Sequence, residues 1–295
     1  MQKVFCFSLL LLSLFSATKS SSANVSAQDD AKHIIKLATP AKRIISLAPH
    51  ATELLFEAGA GHLIVGVSDY SDYPEAAKKI APIGNIFALD LERLIILKPD
   101  LIVVWGTGNA KLIADKLRGL KIPVFESEPR SFEMLASSLE RLSILTGLDE
   151  TGVAAANRFR NRLDLLRSTY ALKPSEKKIS VFYQVWGKPL MTLNNQHLVS
   201  SAISLCGGVN IFGDLKDLSP SVTIEAVLAA DPQVIITTSG EQQDNLSNWL
   251  QFSKLSAVSK ANLYTIKGDW LNRAGPRVLD GTEELCKNLK IARTK

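Results

Sequence analysis

Two stretches of the chain place apolar residues first at helical spacing and then in an unbroken run. In residues 90–109, DLERLIILKPDLIVVWGTGN, Leu91, Leu94 and Ile95 fall on one side of a short helix, with Glu92 and Arg93 pointing away. Lys98-Pro99-Asp100 ends that helix, because a residue before proline is pushed out of the α region. Residues 101–104 are then continuously apolar, as in a strand buried on both faces of a parallel sheet. The run ends in Trp105-Gly106-Thr107-Gly108-Asn109, a loop at the carboxyl end of a strand, where open α/β sheets bind ligands. Residues 223–239, TIEAVLAADPQVIITTS, repeat the pattern with Glu225 in place of Glu92 and Asp231-Pro232 in place of Lys98-Pro99. Glutamate and proline stand seven residues apart in both copies. The repeat predicts a duplicated α/β lobe, and a cleft between lobes is where small ligands bind.

Further strands are expected at residues 43–47, 63–67, 123–125, 178–185 and 263–266. Helices are expected up to Ala58, with Thr52 or a neighbour as cap, at 112–120, 131–146 and 197–205, through Trp249, and from the last loop to about Ile291. Residues 150–172 contain no proline, and no glycine after Gly152. Val153, Ala156, Phe159, Leu163 and Leu166 recur at helical spacing, with Arg158, Arg160, Arg162 and Asp164 on the other faces. The pattern predicts two Rossmann-like lobes with central parallel sheets, at 41–147 and 178–295, joined by one long backbone helix at 148–173.

Residues 1–27 read as a separate segment. Lys3 is a short positive start, residues 4–17 are apolar but short for a bilayer, and small residues follow. Either Val25-Ser26-Ala27 or Ser21-Ser22-Ala23 fits ahead of a cleavage point, so this is expected to be a secretory signal peptide; a membrane anchor would need a longer apolar run. Residues 28–40 are expected to be a frayed mature start. The whole chain has 34 basic and 29 acidic residues, net +5; losing Lys3 and Lys19 with the signal leaves +3. That charge, with no basic run, gives no argument for a nucleic-acid partner. Cys6 leaves with the signal and has no lipobox before it, so Cys206 and Cys286 remain. In an oxidising compartment they are expected to bridge, the alternative being two separate buried thiols.

No nucleophile elbow, Walker loop, HExxH or CxxC occurs, and the four histidines form no ligand cluster in sequence. What remains is aromatic and amide-bearing residues on strand-end loops: Tyr70, Tyr73, Trp105, Asn109, Tyr183, Trp186, Asp269 and Trp270. Flat apolar faces with polar tips suit a broad planar ligand rimmed by amides.

The segments RIISLAPHATELLFEAGAG, VGVSDYSDYPEAA, DLERLIILKPDLIVVWGTGN, LCGGVNIF and GDWLNRAGPR resemble the periplasmic cobalamin-binding proteins of ABC-type vitamin importers, over nearly the whole mature chain. The resemblance implies a class III binding-protein fold, with cobalamin or a related corrinoid held between the lobes as cargo. It implies a monomeric, non-enzymatic periplasmic receptor without a cofactor of its own. By matching positions, Tyr70, Trp105 and Asp269 would contact the corrin or its substituents, and Asn109, Trp186 and Trp270 complete the expected ligand set. It also implies that Glu92 and Glu225 dock onto the importer's permease dimer, which works with ATPase subunits, and that Cys206 and Cys286 form a disulfide. Ile86 and Ser219 stand where relatives carry tryptophan, and VWGKPLMT departs from the usual strand end, so Trp186 is expected to supply an aromatic face. Two other readings are weighed. One is a same-fold receptor for haem or a ferric siderophore, with Arg273 or Arg277 facing an anionic complex. The other is an exported hydrolase using Asp269 or His50.

Overall fold

The computed structural model describes residues 24–85, 87–106, 109–239 and 246–295. The apolar leader and Ile86 lie outside the described residues. Strands β1 (Val25–Gln28) and β2 (Ile34–Leu37) form an antiparallel hairpin. The fraying expected for residues 28–40 is therefore corrected. Ala27, Ile35 and Leu37 are buried. The turn is anchored to the body by buried carboxylates: Asp29 accepts from the backbone N–H of His33 (2.8 Å) and of Glu126 (3.2 Å). Arg141 donates to Gln28 O (2.8 Å) and to Asp30 (2.7 Å).

The first lobe continues through β3 (Ile44–Ser46), α1 (Pro49–Glu57), β4 (Ile64–Val67), α2 (Leu91–Ile96), β5 (Leu101–Trp105), α3 (Asn109–Gly119), β6 (Val124–Ser127) and α4 (Phe132–Thr146). Its sheet is parallel with order β4-β3-β5-β6. Helix α1 starts at Pro49, whose missing N–H costs nothing in a first turn. Thr52 is no cap. It is buried, and its hydroxyl bonds to Ser46 Oγ (2.8 Å) and Ser71 Oγ (3.1 Å).

Helix α5 (Asp149–Tyr170) follows the left-handed Gly147 that ends α4. Gly152 lets the two helices meet closely, since a Cβ there would lie 2.0 Å from Ser143 Oγ. Its inward face is Gly152, Ala155, Ala156, Phe159, Leu163 and Leu166. Val153 is exposed instead, because Ala155 and Gly152 occupy the inward line that it was expected to share. The arginines of α5 tie it to both lobes. Arg158 pairs with Glu57 (3.0 Å), Arg160 with Glu133 and Glu140 (both 2.6 Å), and Arg162 with Asp280 (2.6 Å).

The second lobe comprises β7 (Ile179–Gln184), β8 (Trp186–Gly187), β9 (Leu190–Met191), α6 (Leu198–Leu205), β10 (Gly208–Asn210), α7 (Ile224–Ala230), β11 (Val234–Ser239), α8 (Ser256–Ser259), β12 (Leu263–Lys267), α9 (Gly268–Leu271) and α10 (Val278–Arg293). Its parallel sheet has the order β10-β7-β11-β12. Only Leu246–Trp249, a 3-10 turn, is seen of the helix expected through Trp249, and residues 240–245 lie outside the described residues. Cys206 and Cys286 are disulfide-bonded, Cα to Cα 4.6 Å, joining the end of α6 to α10. No described helix is long and apolar enough to cross a membrane.

The repeat is visible in the backbone. In each copy the helix ends in a left-handed residue before proline, Lys98 (φ 47°) and Asp231 (φ 41°). Leu94 and Val227 are the fully buried residues of α2 and α7. Ile95, expected inward, is 55% exposed, because a helix of six residues presents only one turn to the sheet.

Candidate ligand-binding site

Loops after strands of both sheets share two hollows. The larger, about 670 Å³, is lined by Tyr70 and Asp72 beyond β4, Ser239 and Lys267 at the ends of β11 and β12, and Asp269, Trp270, Arg273 and Arg277. Tyr70 has φ 64°, a left-handed conformation that is costly for a bulky residue, and the residue is 63% exposed. The loop holds that conformation through Asn85, whose amide donates to Asp69 (2.9 Å), and Ser68, whose hydroxyl meets Ser71 Oγ (3.3 Å). Asp269, second in α9, pairs with Arg273 (2.9 Å), and both line the hollow. Lys267 Nζ lies 4.3 Å from the Trp270 ring centroid.

The smaller hollow, about 130 Å³, is lined by His50, Trp105, Arg130, His197, Ser219 and Asn272 among others. Trp105 meets His50 edge-on, with ring centroids 4.9 Å apart. Burial pushes His50 down to about 4, with Arg273 adding to the fall against the opposing hydrogen bond from Ser127. His197, the N-cap of α6, is likewise pushed down to about 4 by burial and then by Arg130. The segment after β12 lines both hollows, with Asp269, Trp270 and Arg273 on one and Leu271 and Asn272 on the other.

Trp186, Tyr183 and Tyr73 are not among the lining residues of these two hollows. Trp186 lines neither hollow. Its indole N–H donates to Lys188 O (3.0 Å) within the β8–β9 hairpin, because that short hairpin turns its ring back on its own loop. Asn109 opens α3, and its side chain lies outside the described residues. Tyr183 is fully buried core, with its hydroxyl donating to Asn272. Tyr73 stacks under Arg277, 3.9 Å from ring to guanidinium, in a separate hollow of about 390 Å³ against α5.

Arg273 and Arg277 are not free to meet an anionic ligand. Buried Glu53 accepts twice from Arg277 (2.6 and 3.0 Å), and Arg273 pairs with Asp72 (2.7 Å) as well as Asp269. Because α1 and the Tyr70 loop belong to one lobe and the arginines to the other, this cluster also clasps the lobes. Nothing in the sequence around Glu53, an ordinary helical position, singles it out.

Among the described residues, Asp29, His33 and Glu126 bring ligand atoms within 4.8 Å of one another. The Arg118 guanidinium lies among them, 3.2 Å from His33 Nδ1 and 3.6 Å from Asp29, so the place of a cation is already taken. Glu92 and Glu225 are exposed, each second in a helix capped by a side chain, Asp90 (2.9 Å to the Arg93 N–H) and Thr223 (3.2 Å to the Ala226 N–H).

Comparison with known proteins extends the picture. A family profile described as periplasmic binding protein matches residues 44–270. A vitamin B12-binding protein of Vibrio cholerae is 44% identical over 254 residues, spanning 86% of this chain and 91% of the relative. One from Yersinia pestis is 38% identical, spanning 85% of this chain and 88% of the relative. A crystal structure of a periplasmic vitamin B12 binding protein of Vibrio cholerae superposes with a TM-score of 0.78 at 42% identity, covering 87% of this chain and 99% of that one. The matches run through both sheets and the helix between them, and the chain belongs to the periplasmic binding protein family.

Proposed function

We infer that this protein is a non-enzymatic receptor that holds vitamin B12 between its lobes and passes it to an ABC-type importer. The observation that carries the reading is the interlobe hollow into which Tyr70, Asp269 and Trp270 converge, beside the Trp105 hollow, in a chain 44% identical to a vitamin B12-binding protein. The vitamin is cargo, and selectivity comes from ring contact and hydrogen bonds to its amide rim. Titration with cyanocobalamin, followed by calorimetry and visible absorbance, is expected to give one vitamin per chain; no binding to any corrinoid overturns the reading. An anionic haem or ferric complex is disfavoured, since both cleft arginines are already neutralised by acids.

Glu92 and Glu225 form the docking points for a two-fold permease, one on each lobe. Each glutamate is exposed in the first turn of its helix, at matching places in the repeat. Reversing both charges is expected to leave vitamin binding intact and stop uptake; loss of binding counts against docking. Export begins with the apolar leader. A cut after Ala23 leaves the β1–β2 hairpin whole, whereas one after Ala27 removes three of the four paired residues of β1. The mature chain accordingly starts at Asn24, which N-terminal sequencing of the exported protein tests.

A further inference from the structure

The cations that line the larger hollow, Lys267, Arg273 and Arg277, are held in different ways. Arg277 is committed to buried Glu53, and Arg273 to Asp72 and Asp269. Lys267 has no carboxylate partner among the described residues, and its Nζ rests instead 4.3 Å from the Trp270 ring centroid. A ring face attracts an ammonium but offers no oxygen to its N–H donors. The sheet sets where this lysine stands. Lys267 ends β12 beside Ser239, its register partner at the end of β11. Gly268 lets the two strand ends stay close, since a Cβ there would lie 2.7 Å from Ser239 O. Both Lys267 and Ser239 are exposed and line the hollow.

The charge of the wall gives Lys267 weight beyond its own contact. Glu53, Asp72 and Asp269 set against Arg273 and Arg277 leave one negative charge in excess, and Lys267 brings the group to neutrality. Without it an anionic group entering the hollow would meet a wall of its own sign. We propose that Lys267 is the contact for the phosphodiester of the vitamin, and that it makes this receptor favour complete corrinoids over those lacking the nucleotide arm. The amide arms of vitamin B12 are uncharged, and the phosphodiester that joins the corrin to its lower base is its one anionic arm. One open ammonium matches one monoanion. A haem, with two carboxylates, would leave the second facing the acids of the wall. The flexible lysine stem lets the ammonium turn from the ring to a phosphate oxygen while the backbone stays in place. The proposal rests on the vitamin reading above.

The test is calorimetry with cyanocobalamin and with dicyanocobinamide, which keeps the corrin and its amides but has no phosphodiester, each at low and at high salt. Lys267→Met keeps an apolar stem beside Trp270 and removes the charge. It is expected to weaken cyanocobalamin about tenfold at low salt and cobinamide by less than about threefold. Lys267→Arg, which restores the cation, is expected to stay within about threefold of wild type for both. Added salt is expected to weaken cyanocobalamin binding in wild type, and Lys267→Met to lose that dependence. Equal losses on the two ligands, or a cyanocobalamin affinity and salt response unaltered in Lys267→Met, overturn the contact. Where cobinamide binds wild type too weakly to compare, the salt response decides alone. Failure of cyanocobalamin itself to bind overturns the vitamin reading instead.

Discussion

In the first lobe the strand that opens the sheet, β3, lies between β4 and β5; in the second, β7 lies between β10 and β11. In both, the last strand follows at the outer edge, β6 or β12. The lobes share this plan, and with it a capped helix carrying an exposed glutamate, a left-handed residue before proline and a buried strand. They differ in what closes them. The first is sealed by the β1–β2 hairpin and a buried set of charges, Asp29, Arg118, Glu126, Asp30 and Arg141. The second is sealed by the covalent link between α6 and α10. The cleft walls differ too: an irregular loop that holds Tyr70 against its backbone preference, facing a short helix that presents Asp269 and Trp270. What recurs is what a parallel sheet demands of any chain, and what diverges is each lobe's edge and the wall it gives the cleft.

The contrast is broken most severely at the covalent link. The Cys206→Ser, Cys286→Ser pair is expected to lose roughly 4–5 kcal/mol by the loop-entropy model for a crosslink spanning 80 residues. Denaturant melts should show it, with hydrogen exchange rising first in α6 and α10. Arg118→Met is the counterpart in the first lobe. It leaves Asp29 and Glu126 buried without their cation and is expected to cost about 3–5 kcal/mol. Exchange should rise first in β1, β2 and β6. If both variants loosen the same elements, the lobes do not close independently.

Acid comes next, group for group. His50 and His197 are held near 4 when folded, against 6.5 for an unperturbed ring. The unfolded chain therefore takes up protons below pH 6.5 that the folded chain refuses. These two groups cost nothing above pH 6.5, and their penalty grows as pH falls to about 4, reaching roughly 3 kcal/mol for each. Replacing both by Asn should flatten the stability profile between pH 6.5 and 4. An unchanged slope there shows that other groups govern it. The smallest effect concerns the ligand ring set. Trp270→Ala is expected to weaken cyanocobalamin binding about tenfold or more, and Trp186→Ala by less than about threefold, since Trp186 lines neither hollow. Equal losses would restore Trp186 to the site.

Much of this architecture is legible in sequence where local rules act alone. The buried runs of β5 and β11, the prolines that end α2 and α7, and the Ser131 cap of α4 each follow from a few neighbouring residues. The β1–β2 hairpin is not legible, because its two four-residue strands gain their pairing only when Asp29 and Asp30 find partners almost a hundred residues away. The misplacement of Ile95 and Val153 has the same origin: periodicity gives a face, and the packed neighbour decides how wide it is. In the site, Tyr70, Trp105, Asp269 and Trp270 stand out as aromatic or acidic residues at strand ends. The Glu53 clasp does not, since its meaning comes from arginines 220 or more positions away. Trp186 is exposed at the β8–β9 hairpin and donates to Lys188 O, a contact made within its own loop that residue type and position do not foretell.

The arginines of α5 fasten a single rod to α1, α4 and α10 at once. A receptor hung on such a rod has little freedom to swing wide when vacant and snap shut when loaded. A transporter would then have to sense the cargo itself at the mouth of the groove, and unloading would need force applied from outside at the two rims rather than a spontaneous yawn of the shell.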